Sequence, residues 1–158
     1  MVNAHNISSG LIDSLYEDAL QMADDVRRAF DPTGDADFRP EAVGQRSPAY
    51  AALAAEALRT NTRLMHMLTW LLNQRAYFAG EMSEVQLRRS GRMPEDQPQT
   101  DPSELHLLDE NIVRVVEETR QFYARIARID ADWRDQHAPP QRIVHHLHDL
   151  LGRAFTAS

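Results

Sequence analysis

Residues 47–80 read SPAYAALAAEALRTNTRLMHMLTWLLNQRAYFAG, and this stretch decides the fold. Ser47 suits a helix N-cap and Pro48 the first helical position, where a missing N–H costs nothing. Apolar residues then recur at helical spacing: Tyr50, Leu53, Ala57, Leu58, Leu64, Met65, Leu68, Leu71, Leu72 and Ala76. Neither proline nor glycine interrupts them until Gly80, a natural C-terminal stop. A helix over 48–80 would be about 50 Å long.

Outward from it the same period repeats. Before it, Leu11, Leu15, Ala19, Met22, Val26 and Phe30 lie three and four apart, predicting a helix over 9–30 with one buried face. Asp31-Pro32 stops it, because a residue preceding proline disfavours helical geometry. Pro32, Gly34, Pro40 and Gly44 mark the loop that follows. After the long helix, Ser83 and Gln86 form a capping-box pattern for a short piece. Gly91, Pro94, Pro98 and Pro102 among polar residues make 91–102 a linker.

Asp101-Pro102-Ser103-Glu104 is a helix-start signature. From it a stripe of Leu105, Leu108, Ile112, Val115, Val116, Phe122, Tyr123, Ile126 and Ile129 predicts a helix over 102–133, ending near Trp133. Pro139-Pro140 breaks the chain, and Ile143, Leu147, Leu150 and Leu151 predict a short amphipathic helix over 141–155. No segment shows sustained strand-type alternation. The expectation is one all-α domain over 1–158: an antiparallel three-helix bundle with a short additional C-terminal helix.

Composition narrows the function. A chain of 158 residues suits one domain with a real core. The longest uncharged apolar run, 64–72, is far shorter than the roughly 20 residues of a membrane span. The N-terminus lacks a secretion pattern and there is no cysteine, so a cytoplasmic protein is expected. Net charge is −7, and the basic residues are dispersed among carboxylates. That is not the basic patch a nucleic-acid binder uses to displace counterions from phosphate. All 17 basic residues are arginine, as a GC-rich genome would favour.

Catalytic constellations are not found. There is no Gly-x-Ser-x-Gly, no phosphate-cradling glycine loop, no His-Glu-x-x-His and no Glu-x-x-His. His145, His146 and His148 cluster, but without a third ligand of zinc spacing they read as surface or packing residues. His66, between Met65 and Met67, reads as a packed or interface histidine. The carboxylates Asp24, Asp25, Glu117 and Glu118 fall on expected solvent faces. Neither an enzyme nor a bound metal or cofactor is expected.

The block Arg59-Thr60-Asn61-Thr62-Arg63 puts polar groups across an apolar helix, with Asn61 on or beside the core stripe. A buried asparagine must find hydrogen-bond partners. Register specification inside the bundle is the preferred explanation, and a polar seam at a dimer or partner interface is the alternative. Farther along, Trp70 and Tyr77 share a face expected to point inward, with Arg75 and Phe78 exposed. For partner contacts the expected residues are Arg88 and Arg89 in the mid-chain segment and the apolar edge Ile143, Leu147 and Leu151.

The stretch EALRTNTRLMHMLTWLLNQRA, from Glu56 to Ala76, continues to Gly80-Glu81-Met82-Ser83. Together with Tyr16-Glu17-Asp18-Ala19-Leu20 in the first helix, it resembles the alphaproteobacterial family of the regulator of CtrA degradation (RcdA). The resemblance implies a helical, often homodimeric, non-enzymatic adaptor that helps the ClpXP protease receive cell-cycle regulators. Its partners would be the protease pathway and a response-regulator-like cargo or priming factor. The alternative is a small-molecule- or metal-binding helical bundle.

Overall fold

The structure is a computed structural model and describes residues 7–31 and 47–136. Those residues are all-α, forming five helices: α1 (Ser9–Phe30), α2 (Pro48–Phe78), α3 (Glu84–Ser90), α4 (Pro102–Leu105) and α5 (Glu110–Gln136). The expected helix over 141–155, with Ile143, Leu147 and Leu151, lies outside the described residues.

The ends follow local chemistry. At the start of α1 the Ser8 hydroxyl accepts from the Leu11 amide at 3.2 Å, satisfying one of the orphan donors of the first turn. α1 stops at Phe30, one residue short of Asp31-Pro32. Ser47 precedes α2 without a side-chain cap, so its start rests on Pro48. At the far end Gly80 takes φ 77°, the left-handed turn that lets the amides of Gly80 and Glu81 bond back to Tyr77 and Ala76. α3 carries the expected capping box between Ser83 and Gln86.

The helix expected over 102–133 is two. α4 ends at Leu105, and α5 begins at Glu110 after Asp109, whose carboxylate accepts from the Asn111 amide at 2.9 Å. Asp109 is therefore a second N-cap; Leu105 ends α4 and Leu108 lies in the connection, so neither belongs to the long helix. Glu104 does not reach back to cap its own helix. It pairs with Arg59 at 2.7 Å.

α1, α2 and α5 each pack against the other two. The core holds Ile12, Leu15, Ala19 and Val26 of α1, Leu64, Met67, Trp70 and Leu71 of α2, and Val115, Tyr123 and Ile126 of α5. In the first turn of α1 the buried residue is Ile12, while Leu11 is only half-buried. Trp70 is buried and Phe78 and Arg75 are exposed, as expected.

Helix directions depart from the expectation. Arg75 meets Asp13 at 3.1 Å, while Leu64 and Leu68 share a cleft with Val26 and Phe30, so α1 and α2 are antiparallel. However, Leu53 adjoins Ile112, Arg63 approaches Thr119 and Trp70 bonds Asp130. Numbers rise together along both helices, so α2 and α5 run parallel. The cause is the connection: residues 79–109 carry the chain back along the full length of α2 before α5 begins.

Candidate functional site

That returning segment is held by buried charge. Arg63 and Glu56 are 0% and 1% exposed, and Arg63 Nη2 donates to Glu56 Oε1 at 2.9 Å. They sit seven residues apart on one face of α2, with Thr60 between them. The Thr60 hydroxyl donates to Glu56 and accepts from Arg63 Nη1. Arg63 then reaches outward: Nη2 to Thr100 Oγ1 at 2.6 Å, Nε to the Pro98 carbonyl at 3.3 Å and Nη1 to Thr119 Oγ1 at 3.5 Å. Thr100 returns its own proton to Glu56 at 2.8 Å. Arg59, at the rim, bridges Glu56 and Glu104, and its hydrogen bond to Glu104 is the main cause of a raised guanidinium pKa, opposed by burial.

A second buried acid anchors the upper part of the same segment. Asp130, 4% exposed, accepts from Trp70 Nε1 at 2.9 Å, from the Met93 amide at 3.1 Å and from Arg134 Nε at 3.1 Å. Arg134 in turn donates to the Arg88 carbonyl, and the Tyr123 hydroxyl donates to the Pro94 carbonyl at 3.0 Å. Burial, and then the nearby Asp130 carboxylate, push the Tyr123 pKa above its ordinary value. At the lower end Asp101 accepts from the hydroxyl and amide of Ser103, which lowers its carboxyl pKa.

Residues 88–104 thus form a strap along the groove between α2 and α5. Its contacts run in order down the molecule: Arg88 to Arg134, Met93 to Asp130, Pro94 to Tyr123, Pro98 and Thr100 to Arg63, and Glu104 to Arg59. The polar block on α2 turns inward through Thr60 and Arg63, which bind Glu56 and the strap. Asn61, expected on or beside the core stripe, is exposed. Glu56 and Asp130 were not anticipated as buried acids. A clue existed for Glu56, since it lies four and seven residues before Thr60 and Arg63 on one helical face.

Chemically these groups are occupied with one another. Both buried carboxylates accept from cationic, hydroxyl or amide donors of this chain, and they lie under the strap rather than in a cleft. Among the described residues no group of three histidines, acids or cysteines could hold a metal ion. His66 is half-buried against the Tyr123 ring, with centroids 6.4 Å apart. His145, His146 and His148 lie outside the described residues.

The surface is where apolar chemistry remains. Of the expected contact residues, Arg88 and Arg89 sit on α3. Arg88 is half-buried and bonds Glu84 through Nε and Nη2, while Arg89 is exposed. Val85, on the same short helix, and Phe78, at the end of α2, are also exposed. Phe78 also borders a cleft of about 480 Å³ with Ile12, Leu72 and the Asp13–Arg75 pair. At the opposite end a cleft of about 340 Å³ is lined by Tyr50, Leu53, Leu107, Leu108 and Ile112. Leu58, Met65 and Leu72, three of the apolar positions at helical spacing, are exposed on the outer side of α2. Ile143, Leu147 and Leu151 lie outside the described residues.

The described residues define a class: an all-α scaffold with its buried charges internally matched and several large apolar side chains left outside. No described helix is long and apolar enough to cross a membrane. The chain belongs to the family described as "Protein of unknown function (DUF1465)", which matches residues 3–155. No curated protein and no solved structure matches it significantly.

Proposed function

We propose that this chain is a non-enzymatic, protein-binding adaptor of the RcdA type, a cytoplasmic homodimer that brings cell-cycle regulatory proteins to the ClpXP protease. The observation that carries the reading is the division of the molecule. Ionisable groups in the interior are consumed in holding the strap, whereas Leu58, Met65, Leu72, Phe78 and Val85 stand exposed. Large apolar residues outside a core support macromolecular contact. In this reading α1, α2 and α5 are a three-helix bundle serving as a rigid frame, and the exposed end around Arg88, Arg89, Val85 and Phe78 meets a partner. Aromatic and arginine side chains are favoured at such contacts.

An adaptor accelerates nothing chemically. It raises the effective concentration of cargo near the protease, so its gain depends on holding two partners at once. The test is capture by the immobilised chain of purified ClpX, and of a response-regulator protein from the same bacterium. Retention of both, weakened by Arg89→Glu, supports the reading. Passage of both through the column without retardation counts against it.

A further inference from the structure

The outer face of α2 carries a seam that no other described element covers. Ala51, Leu58, Met65, Leu72 and Ala79 recur every seven residues, and all five are exposed. Leu58 is 70% exposed, Met65 67% and Leu72 49%. A seven-residue repeat stays close to one helix face, drifting only about 20° per heptad, and it is the repeat by which helices pair. Residues 64–74 contain no arginine, lysine or carboxylate. A helix face meant for water ordinarily carries charge; this one carries leucine, methionine, alanine, threonine and asparagine.

The seam is also symmetric about its middle. Counted outward from Met65, Asn61 and Thr69 lie four residues away, Leu58 and Leu72 seven, and Ala51 and Ala79 fourteen. Each pair matches in size and polarity. We infer that α2 pairs antiparallel with α2 of a second copy of this chain, about a two-fold axis passing at Met65. In a two-fold interface every contact must occur twice with roles exchanged, which demands a surface complementary to itself. Here Met65 meets its own copy, Leu58 of one chain meets Leu72 of the other, and alanines close both ends. Asn61 and Thr69 meet on each side of the axis and hydrogen-bond across it, so a slip in register leaves them unpaired among apolar side chains. The seam from Ala51 to Ala79 runs about 42 Å. A foreign amphipathic helix needs the apolar stripe but not its symmetry, and the symmetry selects a second copy as the occupant.

This inference rests on the homodimer of the adaptor reading and supplies its face and direction. The chain has no cysteine, so introduced thiols report alone. With a short bismaleimide cross-linker, Met65→Cys gives covalent dimer, whereas Glu117→Cys on the exposed side of α5 does not. A mixture of Leu58→Cys and Leu72→Cys chains cross-links, and neither does so by itself. Met65→Glu weakens self-association at least tenfold by sedimentation, with unchanged far-UV dichroism because Met65 lies outside the core. Self-linking of Leu58→Cys overturns the antiparallel register. A dimer indifferent to Met65→Glu overturns the face while leaving the homodimer standing. A wild-type chain that stays monomeric at every concentration overturns both, and leaves protease capture as a separate question.

Discussion

Replacing Glu56 by alanine puts the sharpest load on the strap. Arg63 is 0% exposed and donates to Glu56, Thr60, Thr100, Thr119 and the Pro98 carbonyl. Glu56 is the one negative partner in that set, so Glu56→Ala leaves a guanidinium buried with neutral acceptors only. Breaking a buried pair by removing one partner costs about 3–5 kcal/mol. Against the roughly 5–15 kcal/mol that holds a domain together, that is a large share. Thr100 also loses its acceptor, so the strap should loosen as well as the fold weaken. Urea denaturation followed by far-UV dichroism measures the first effect, and limited proteolysis within 91–101 measures the second. The double variant Glu56→Leu/Arg63→Met, which removes both charges, should recover most of the loss, because neither ion is then stranded. A Glu56→Ala unfolding free energy lowered by less than about 1 kcal/mol, a value typical of an exposed pair, would refute the claim that this charge is buried and required.

Other outcomes follow from single contacts. Tyr123→Phe removes the bond to the Pro94 carbonyl and should cost about 1 kcal/mol near neutral pH. Because the folded-state pKa of Tyr123 is raised above 10.0, its contribution is present below that pH and lost as pH climbs through the raised value. Denaturation midpoints of wild type and Tyr123→Phe at pH 8 and pH 11 should therefore converge on the alkaline side. Gly91→Ala would put a Cβ 2.5 Å from a Leu87 methyl and 2.7 Å from the Leu87 carbonyl oxygen, so a loss of about 1–3 kcal/mol is expected in urea melts. Gln74, 1% exposed, has neither end of its amide hydrogen-bonded among the described residues. Gln74→Met should raise the thermal midpoint, gaining about 1 kcal/mol by removing that unmet polarity.

How much the sequence disclosed depends on the range of the interaction. Local signals read well: the Asp31-Pro32 stop, Pro48, Gly80, and the Ser83–Gln86 box all sit within a turn of the feature they set. Asp109 carried an equally local cap signal, but the apolar spacing of Leu105, Leu108 and Ile112 continued smoothly across it, and period outweighed the break. Direction was not legible. Whether α5 runs with or against α2 depends on where 91–101 lies, and that is set by Arg63 and Asp130 reaching residues about thirty to forty positions away. Inside and outside were confused on α2 because it is apolar most of the way round. Leu58, Met65 and Leu72 look as inward as Leu64, Met67 and Leu71 until neighbours are placed. Of the contact residues chosen, Arg89 is on the surface and Arg88 is half-buried and bonded within α3. The exposed apolar seam of α2 was hidden in what looked like core.

The claim beneath the whole account is that this molecule acts by bringing proteins together. Degradation of a response-regulator-dependent ClpXP substrate, timed in a purified system with and without the chain, tests it most directly. Substrate should be lost faster as the chain is added, followed by inhibition at large excess, when cargo and protease are held by separate copies. A degradation rate unchanged across the full titration would contradict it.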